Sequence, residues 1–458
     1  MNSKNLINYK KIDSALDQTG SQKDVEAIIE KSKKLQRLSL KEVAVLLNVT
    51  DEKTLDRIYN AAKWVKNAIY GNRLVIFAPL YISNLCSNEC LYCAFRASNK
   101  KVSRKSLTQE EILQETKYLL KTGQKRILLV SGEAYPEEGL EYVFKSIDTI
   151  YSAQDGINNI HRININIAPL EIHEFKKLLS KNIGTYQLFQ ETYHIPTYNN
   201  LHLKGKKADY EYRLNAIDRA FDAGFSDVGI GILFGLYDYK YEVLAMISHI
   251  EHLEKKYGMG PHTISTPRLE PATGSDLSSH PPRAVNDSDF KKIIAILRLA
   301  VPYTGIILST RETAKTRRES FDLGISQISA GSRTNPGGYS KQKSAEQFSL
   351  GDHRNLDEVI YDICKKGYLP SFCTGCYRLG RTGLDFMEYA KPGAIKLKCT
   401  PNAIITFLEY LEDYASDQTK HVGLQLLKKE LSNLPENIKP RIKEIYQKTI
   451  SGERDLYV

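Results

Sequence analysis

Residues 74–93 read LVIFAPLYISNLCSNECLYC. The first nine, Leu74–Ile82, are an apolar run with the composition of a strand buried on both faces. Directly behind it stand Cys86, Cys90 and Cys93 in C-x3-C-x2-C spacing. Three thiolates this close can hold three irons of a cubane iron-sulfur cluster and leave the fourth iron without a protein ligand. A structural zinc site is the alternative. Zinc takes four closed ligands, usually as two C-x2-C pairs, and no second pair is near. A metal-binding loop at the end of a buried strand sits where α/β barrels carry their chemistry.

The chain around this segment alternates. Short apolar runs at Arg126–Val130, Arg162–Ile167, Thr185–Phe189, Asp227–Leu233, His262–Pro267, Gly305–Leu308 and Ile325–Ile328 predict further strands. Amphipathic stretches at Thr108–Thr122, Glu137–Tyr151, Leu170–Lys181, Tyr210–Ala223, Tyr241–Tyr257, Asp287–Ala300 and Arg311–Asp322 predict helices between them. Strict alternation implies a parallel sheet. Eight units over about 260 residues match a (β/α)8 TIM-type barrel better than an open doubly wound sheet. The expected fold is therefore α/β, with the barrel at 73–330. Residues 1–72 are expected to be a helical N-terminal region, with helices at Lys23–Lys34, Leu40–Leu47 and Asp51–Tyr70. Residues 331–350, GSRTNPGGYSKQKSAEQFSL, are polar and Gly-rich and read as a linker loop. Residues 351–458 read as a mainly helical C-terminal domain, with helices at Ala403–Tyr414 and Gly423–Leu431.

With 41% hydrophobic and 26% charged residues among 458, the chain reads as a soluble globular protein with a sizeable core. No apolar run reaches the length of a membrane span, so no membrane partner is expected. The start, MNSKNLINYKKIDSALD, lacks the apolar region of a secretory signal, which makes the cytoplasm the expected location. The net charge is +10, but Lys and Arg are interspersed with Asp and Glu. The longest basic cluster, Lys204 to Lys207, reads as solvated surface. No aromatic-basic pattern of an RNA-binding module accompanies it, so no nucleic-acid partner is expected. Seven cysteines are an odd number, and six fall into two groups, which points to metal rather than disulfides. The second group is Cys373-Thr-Gly-Cys376 with Cys399, a C-x2-C-x22-C spacing. A second cluster with an open iron is the natural reading; zinc with a distant fourth ligand such as Cys364 is the alternative. Cys364 lies in the helix-like stretch Val359–Lys366 and reads as a core thiol.

The first triad, with Tyr92 before its last cysteine, resembles the radical S-adenosylmethionine (SAM) superfamily. The resemblance implies a 4Fe-4S cluster on Cys86, Cys90 and Cys93 whose open iron chelates SAM and yields a 5′-deoxyadenosyl radical. It implies that the Tyr92 backbone contacts adenine and that Gly132-Glu133, after the second strand, binds the SAM amino group. Glu191 and Arg213 stand where the biotin-synthase-like branch binds ribose and carboxylate. Both triads together resemble, more narrowly, the radical SAM tyrosine lyases that mature the FeFe hydrogenase. The likeness runs through YGNRLVIFAPLYISN, IGTYQLFQETYH, GLYDYKYE, GPHTIS, VPYTGIILSTRE, GISQISAGS, YLPSFCTGCYRLGRTG and GERDLY. It implies cleavage of the tyrosine Cα–Cβ bond, release of p-cresol, and passage of dehydroglycine through the barrel to be fragmented to CO and cyanide. A second 4Fe-4S-type cluster on Cys373, Cys376 and Cys399 is then expected, with an additional iron held by His262 and free cysteine. The implied product is an iron-carbonyl-cyanide synthon for H-cluster assembly. Arg311 and Ser309 are expected to clamp the substrate carboxylate, with Arg268 a further candidate. Tyr193 and His194 are candidates to border the site. L-tyrosine, cysteine, other hydrogenase maturases and a reductant such as ferredoxin or flavodoxin are the implied partners.

One segment departs from that family. After the eighth strand the chain reads GSRTNPGGY, with Arg333 where the likeness implies a cysteine in a Gly-rich loop. Three other readings compete. The first is a tyrosine lyase, or another radical SAM enzyme, whose second triad only holds an electron-transfer cluster; the thiamine-pathway lyase, 2-iminoacetate synthase, shares the barrel but lacks that triad, and production of cyanide and CO discriminates. A non-catalytic iron-sulfur carrier would not cleave SAM. An RNA-modifying radical enzyme would need the RNA-binding module that is missing.

Overall fold

A computed structural model describes residues 6–340 and 345–458; residues 1–5 of the N-terminal region and 341–344 of the expected linker lie outside the described residues. Eight parallel strands close into a barrel: β1 Arg73–Ser83, β2 Arg126–Ser131, β3 Arg162–Asn166, β4 Tyr186–Glu191, β5 Val228–Ile232, β6 Thr263–Ser265, β7 Gly305–Leu308 and β8 Gln327–Ser329. Each pairs with the next, and β8 closes on β1 with Val75 opposite Gln327 and Phe77 opposite Ser329. All eleven residues of β1 are buried, as its near-continuous apolar run requires.

A ninth strand has no counterpart in the sequence reading. β9, Leu369–Ser371, pairs with Arg73–Val75 at the start of β1. Its middle residue is Pro370, which has no N–H to give and so belongs on a sheet edge. This pairing carries Cys373, two residues on, to the end of the barrel where the strands begin.

The helices start where the sequence offers caps. Ser21, Ser39 and Asp51 cap the helices Gln22–Lys33, Leu40–Leu47 and Glu52–Tyr70 of the N-terminal region. Thr108 forms a capping box at Gln109–Lys121. The amphipathic stretch Tyr210–Ala223 is split into Tyr210–Leu214 and Ala216–Asp222. The stretch Arg311–Asp322 becomes helical only at Ala314, where Thr313 caps it, so Arg311 stays in the turn above β7. Among the described residues no helix is long and apolar enough to cross a membrane.

The expected linker is part of the barrel's wall. Glu115 takes the backbone N–H groups of Tyr339 and Ser340 at 3.0 and 2.6 Å, and Tyr339 Oη donates to Pro79 O at 2.7 Å. Farther on, Gln347 and Phe348 lie inside the mouth where the strands end. The Gly-rich composition reports loop conformation, not separation from the core.

Candidate active site at the two mouths of the barrel

At the C-terminal ends of the strands opens a cavity of about 1400 Å³, its mouth included, lined by Cys86, Cys90 and Cys93. The cysteine loop leaves β1 and is clamped by residues 201–207. Glu89 N donates to Lys204 O at 2.9 Å, Leu203 N to Glu89 O at 3.0 Å and Leu91 N to Leu201 O at 3.1 Å. On its other side Gly132 N donates to Ser83 O at 2.9 Å. A Cβ on Gly132 would lie 2.1 Å from Leu85 O, so the Gly-Glu turn needs its glycine for this approach. Gly132→Ala is expected to cost about 1–3 kcal/mol of stability, read as a lower urea midpoint of the metal-free protein.

Behind the cysteines the buried Arg213, Lys207 and Glu191 meet the half-buried Glu133. Arg213 Nη1 donates to Glu133 Oε1 at 2.9 Å, and its Nη2 lies 3.8 Å from Glu191 Oε1. Lys207 Nζ donates to Glu191 Oε1 at 2.6 Å, and its backbone N donates to Asn88 Oδ1 at 3.0 Å. Asn88 Nδ2 reaches Glu133 Oε2 at 2.8 Å. Burial works to raise the Glu133 carboxyl, but Arg213 and Lys207 hold it below the usual carboxylate range. Lys207 therefore corrects the reading of the Lys204–Lys207 cluster as solvated surface: it is 7% exposed, paired, and lines the cavity. Glu191 takes a φ of +70° at an irregularity in the β4–β5 register, a conformation rare for a residue with a Cβ. Tyr92 lines the same cavity, and its hydroxyl shares a hydrogen bond with His202 Nε2 at 2.8 Å.

Whether these residues fit an iron-sulfur cluster rests on the thiols. Burial pushes all three upward, Cys93 to about 11, and Lys207 is a cation that counters it at each. Iron needs the thiolates, so a buried cation in their midst favours loading. Phe95 N–H points at Cys93 Sγ at 3.4 Å, the kind of donor that tunes cluster sulfur. Each triad lines a cavity. The donor set fits a cluster.

Facing the triad across the cavity are Ser309, Arg311 and Glu270. Arg311 lies 3.3 Å over the Phe348 ring and donates Nη1 to Arg268 O at 3.4 Å. Glu312, its neighbour, pairs with Arg268. Arg268 does not line the cavity. Its guanidinium is taken by Glu312, by Asp287 at 2.8 Å and by Val285 O at 2.8 Å, which turns it away from any substrate. Tyr193 and His194 do not border the cavity either. Tyr193 is fully buried with its hydroxyl on His249 Nδ1 at 2.9 Å, and His194 stacks on Tyr237 at 3.7 Å. Arg333 donates Nη1 to Ser332 O at 2.8 Å, while Ser332 and Thr334 on either side line the cavity.

The other mouth, where the strands begin, holds the second triad. Cys373, Cys376, Cys399 and His262 line a cavity of about 550 Å³ together with Tyr70, Arg73, Arg126, Tyr377 and Phe386. Cys373 follows β9, Cys376 sits on the short helix Gly375–Arg378, and Cys399 on the helix Ile395–Asp413. Gly375 N–H donates to Cys373 Sγ at 3.3 Å. A hydrogen bond from the Cys376 thiol, with Arg73 nearby, holds the Cys399 thiol low despite burial. His262 Nε2 lies 3.3 Å from Tyr377 Oη, and Nδ1 lies 3.6 Å from Asp227 Oδ1. Burial, opposed by Asp227, lowers the His262 pKa and favours the neutral imidazole that binds metals. A carboxylate at the far nitrogen is the usual second neighbour of a ligating histidine. This donor set also fits an iron-sulfur site. Sequence reading missed Arg73 and Arg126 here, although a cation opening an apolar strand was a visible signal. Lys207, Asn88, Gln347, Asp227 and Tyr377 gave none, since only the fold brings them in.

Such a barrel, with three thiols at the mouth where the strands end, has the architecture of a radical SAM enzyme. The sequence pattern of the radical SAM superfamily matches residues 80–250, and that of the biotin and thiamin synthesis associated domain matches 265–369. The 2-iminoacetate synthase of Salmonella typhimurium is 32% identical over 75% of this chain and 89% of its own length. That of Escherichia coli is 30% identical over 78% and 92%. A crystal structure of HydG, a maturase of the FeFe hydrogenase, superposes with a TM-score of 0.96 at 48% identity, over 99% of this chain and 100% of that one. HydG from Carboxydothermus hydrogenoformans gives 0.81 at 42% identity, over 95% and 96%. The chain belongs to the radical SAM superfamily, in the HydG-like branch related to 2-iminoacetate synthase.

Proposed function

We propose that this chain is a tyrosine lyase of hydrogenase maturation. It cleaves the Cα–Cβ bond of L-tyrosine to p-cresol and dehydroglycine, and dehydroglycine is converted to CO and cyanide at the second triad. The product is an iron-carbonyl-cyanide synthon for the H-cluster. The observation that carries the reading is the second triad: with His262 it faces the opposite mouth of the barrel that holds the first. The relatives named above and the sequence likeness support it. SAM on a 4Fe-4S cluster held by Cys86, Cys90 and Cys93 would supply a 5′-deoxyadenosyl radical. Glu133, Glu191 and Arg213 would hold SAM's polar groups, with Gly132 and Tyr92 shaping its seat. Cys373, Cys376, Cys399 and His262 would hold a second 4Fe-4S-type cluster with an additional iron, and free cysteine would join them. Other maturases and a ferredoxin- or flavodoxin-like reductant complete the set of partners.

Arg311 is the residue for the substrate carboxylate, with Ser309 beside it. It lines the cavity half-buried, and among the described residues no carboxylate forms an ion pair with it. A guanidinium in a cavity wall that rests on a ring and a carbonyl, with no carboxylate partner, is a strong site for a carboxylate. Arg311→Leu is expected to raise KM for tyrosine about 100-fold, near 2.7 kcal/mol, while SAM affinity stays within about twofold. Equal loss of both would remove Arg311 from the substrate clamp.

The deciding assay uses anaerobically reconstituted protein with SAM, dithionite, cysteine and tyrosine. Release of p-cresol together with cyanide supports the reading. The 32% identity to 2-iminoacetate synthase favours one rival: p-cresol with only glyoxylate and ammonia would make the chain a lyase of that kind. SAM cleavage with no tyrosine product would leave the class standing and remove the substrate.

A further inference from the structure

The segment GLYDYKYE ends in a carboxylate that the proposed chemistry does not use. Asp238 caps the helix Tyr239–Tyr257 by accepting from the backbone N–H groups of Lys240 and Tyr241. Glu242 is therefore not needed as a cap. It lies in the first turn, 1% exposed, and points back at the corner that follows β4. There it accepts from Thr192 Oγ1 and from Tyr193 N, the latter at 2.8 Å. No cation of the described residues pairs with it, and burial pushes its carboxyl up to about 8. A carboxyl buried in a core without a cation is costly unless it has work to do.

The corner it holds is the strained one. Glu191, immediately before Thr192, has φ +70°. Its carbonyl takes Leu233 N at 2.9 Å, and its side chain enters the cavity to meet Lys207 at 2.6 Å. Residues in such conformations persist only where their surroundings over-determine them. Leu233 fixes one side of the corner and Glu242 the other. We propose that Glu242 is a positioning residue: by gripping Thr192 and Tyr193 it locks the left-handed turn that aims Glu191 into the SAM cavity. The proposal rests on the reading of that cavity as the SAM site.

The test compares variants of the reconstituted protein, with the Kd for SAM measured by titration and KM measured for tyrosine. Glu242→Leu is expected to weaken SAM about tenfold, near 1.4 kcal/mol, with tyrosine KM and cluster content unchanged. Glu242→Gln can still accept from Tyr193 N and donate to Thr192, so it is expected within about twofold of wild type. Thr192→Val, which removes one of the two donors and is the milder change, is expected to weaken SAM about threefold. It keeps the proposal testable should Glu242→Leu not fold. A wild-type SAM affinity in Glu242→Leu or in Thr192→Val overturns the proposal alone. So does a Gln variant as impaired as the Leu one, or an equal shift in tyrosine KM. Wild-type protein that binds no SAM overturns the reading of the cavity and the proposal with it.

Discussion

Cys376→Ala is expected to keep p-cresol formation within about twofold of wild type and to lower CO release at least about 100-fold. The two effects separate because the two triads share a barrel but not a mouth. β1 spans eleven residues from Arg73, beside the second triad, to Ser83, at the first. At about 3.3 Å per residue the ten steps between its ends make a separation of roughly 33 Å, far beyond the 7–10 Å within which substitutions couple directly. Cys376 lines the lower cavity and no part of the upper one. Removing its thiol takes a bond from Cys399 and one of three sulfurs from the site. With one sulfur gone, no other cysteine of the lower cavity can replace it, because Cys364 is buried away from it. Iron content, p-cresol and CO measured on one preparation decide the matter. If p-cresol falls in step with CO, the triads act as one site and the division of labour between the mouths is wrong.

The eight barrel strands could be read from the chain because a strand buried on both faces must be apolar along its length. β7 was bounded to the residue at Gly305–Leu308. The cysteines were legible for a related reason, since a triad within eight residues is a local pattern. What escaped the reading depends on contacts between distant segments. β9 is three residues long, Leu-Pro-Ser, too short for any period to register, and it covers Arg73–Val75 on the edge of β1 that β2 reaches only from Ala78 onward. Lys207 looked like one of several surface lysines because nothing local distinguishes a buried one. Its burial follows from the clamp between residues 201–207 and the cysteine loop. Arg268 and Arg311 are equivalent in sequence terms, each an arginine just past the end of an expected strand. The fold spends one on Glu312 and leaves the other over Phe348 in the cavity. The Gly- and Ser-rich stretch after β8 signalled irregular backbone correctly, but composition says nothing of where a loop packs.

Cys90→Ala is expected to abolish SAM cleavage, at least about 1000-fold in 5′-deoxyadenosine formed, and to remove about four irons per chain while the second triad keeps its own. Cys90 is the middle thiol of the first triad and is 5% exposed. Burial drives its thiol far upward, with Lys207 working against it. A site that must pull a proton from so reluctant a thiol depends on every ligand it has. The nearby carboxylates cannot stand in for the lost sulfur: Glu133 is held by Arg213 and Asn88, and Glu191 by Lys207. Tyr92 is tied to His202. The loop itself should survive, because its clamp is made of backbone bonds from Glu89 and Leu91 that do not involve the Cys90 side chain. Protein that folds, keeps its second iron-sulfur signal and makes no 5′-deoxyadenosine therefore assigns the radical chemistry to the upper mouth. SAM cleavage surviving in this variant would mean that the first triad is not its source, and a carrier role for both clusters would have to be reconsidered.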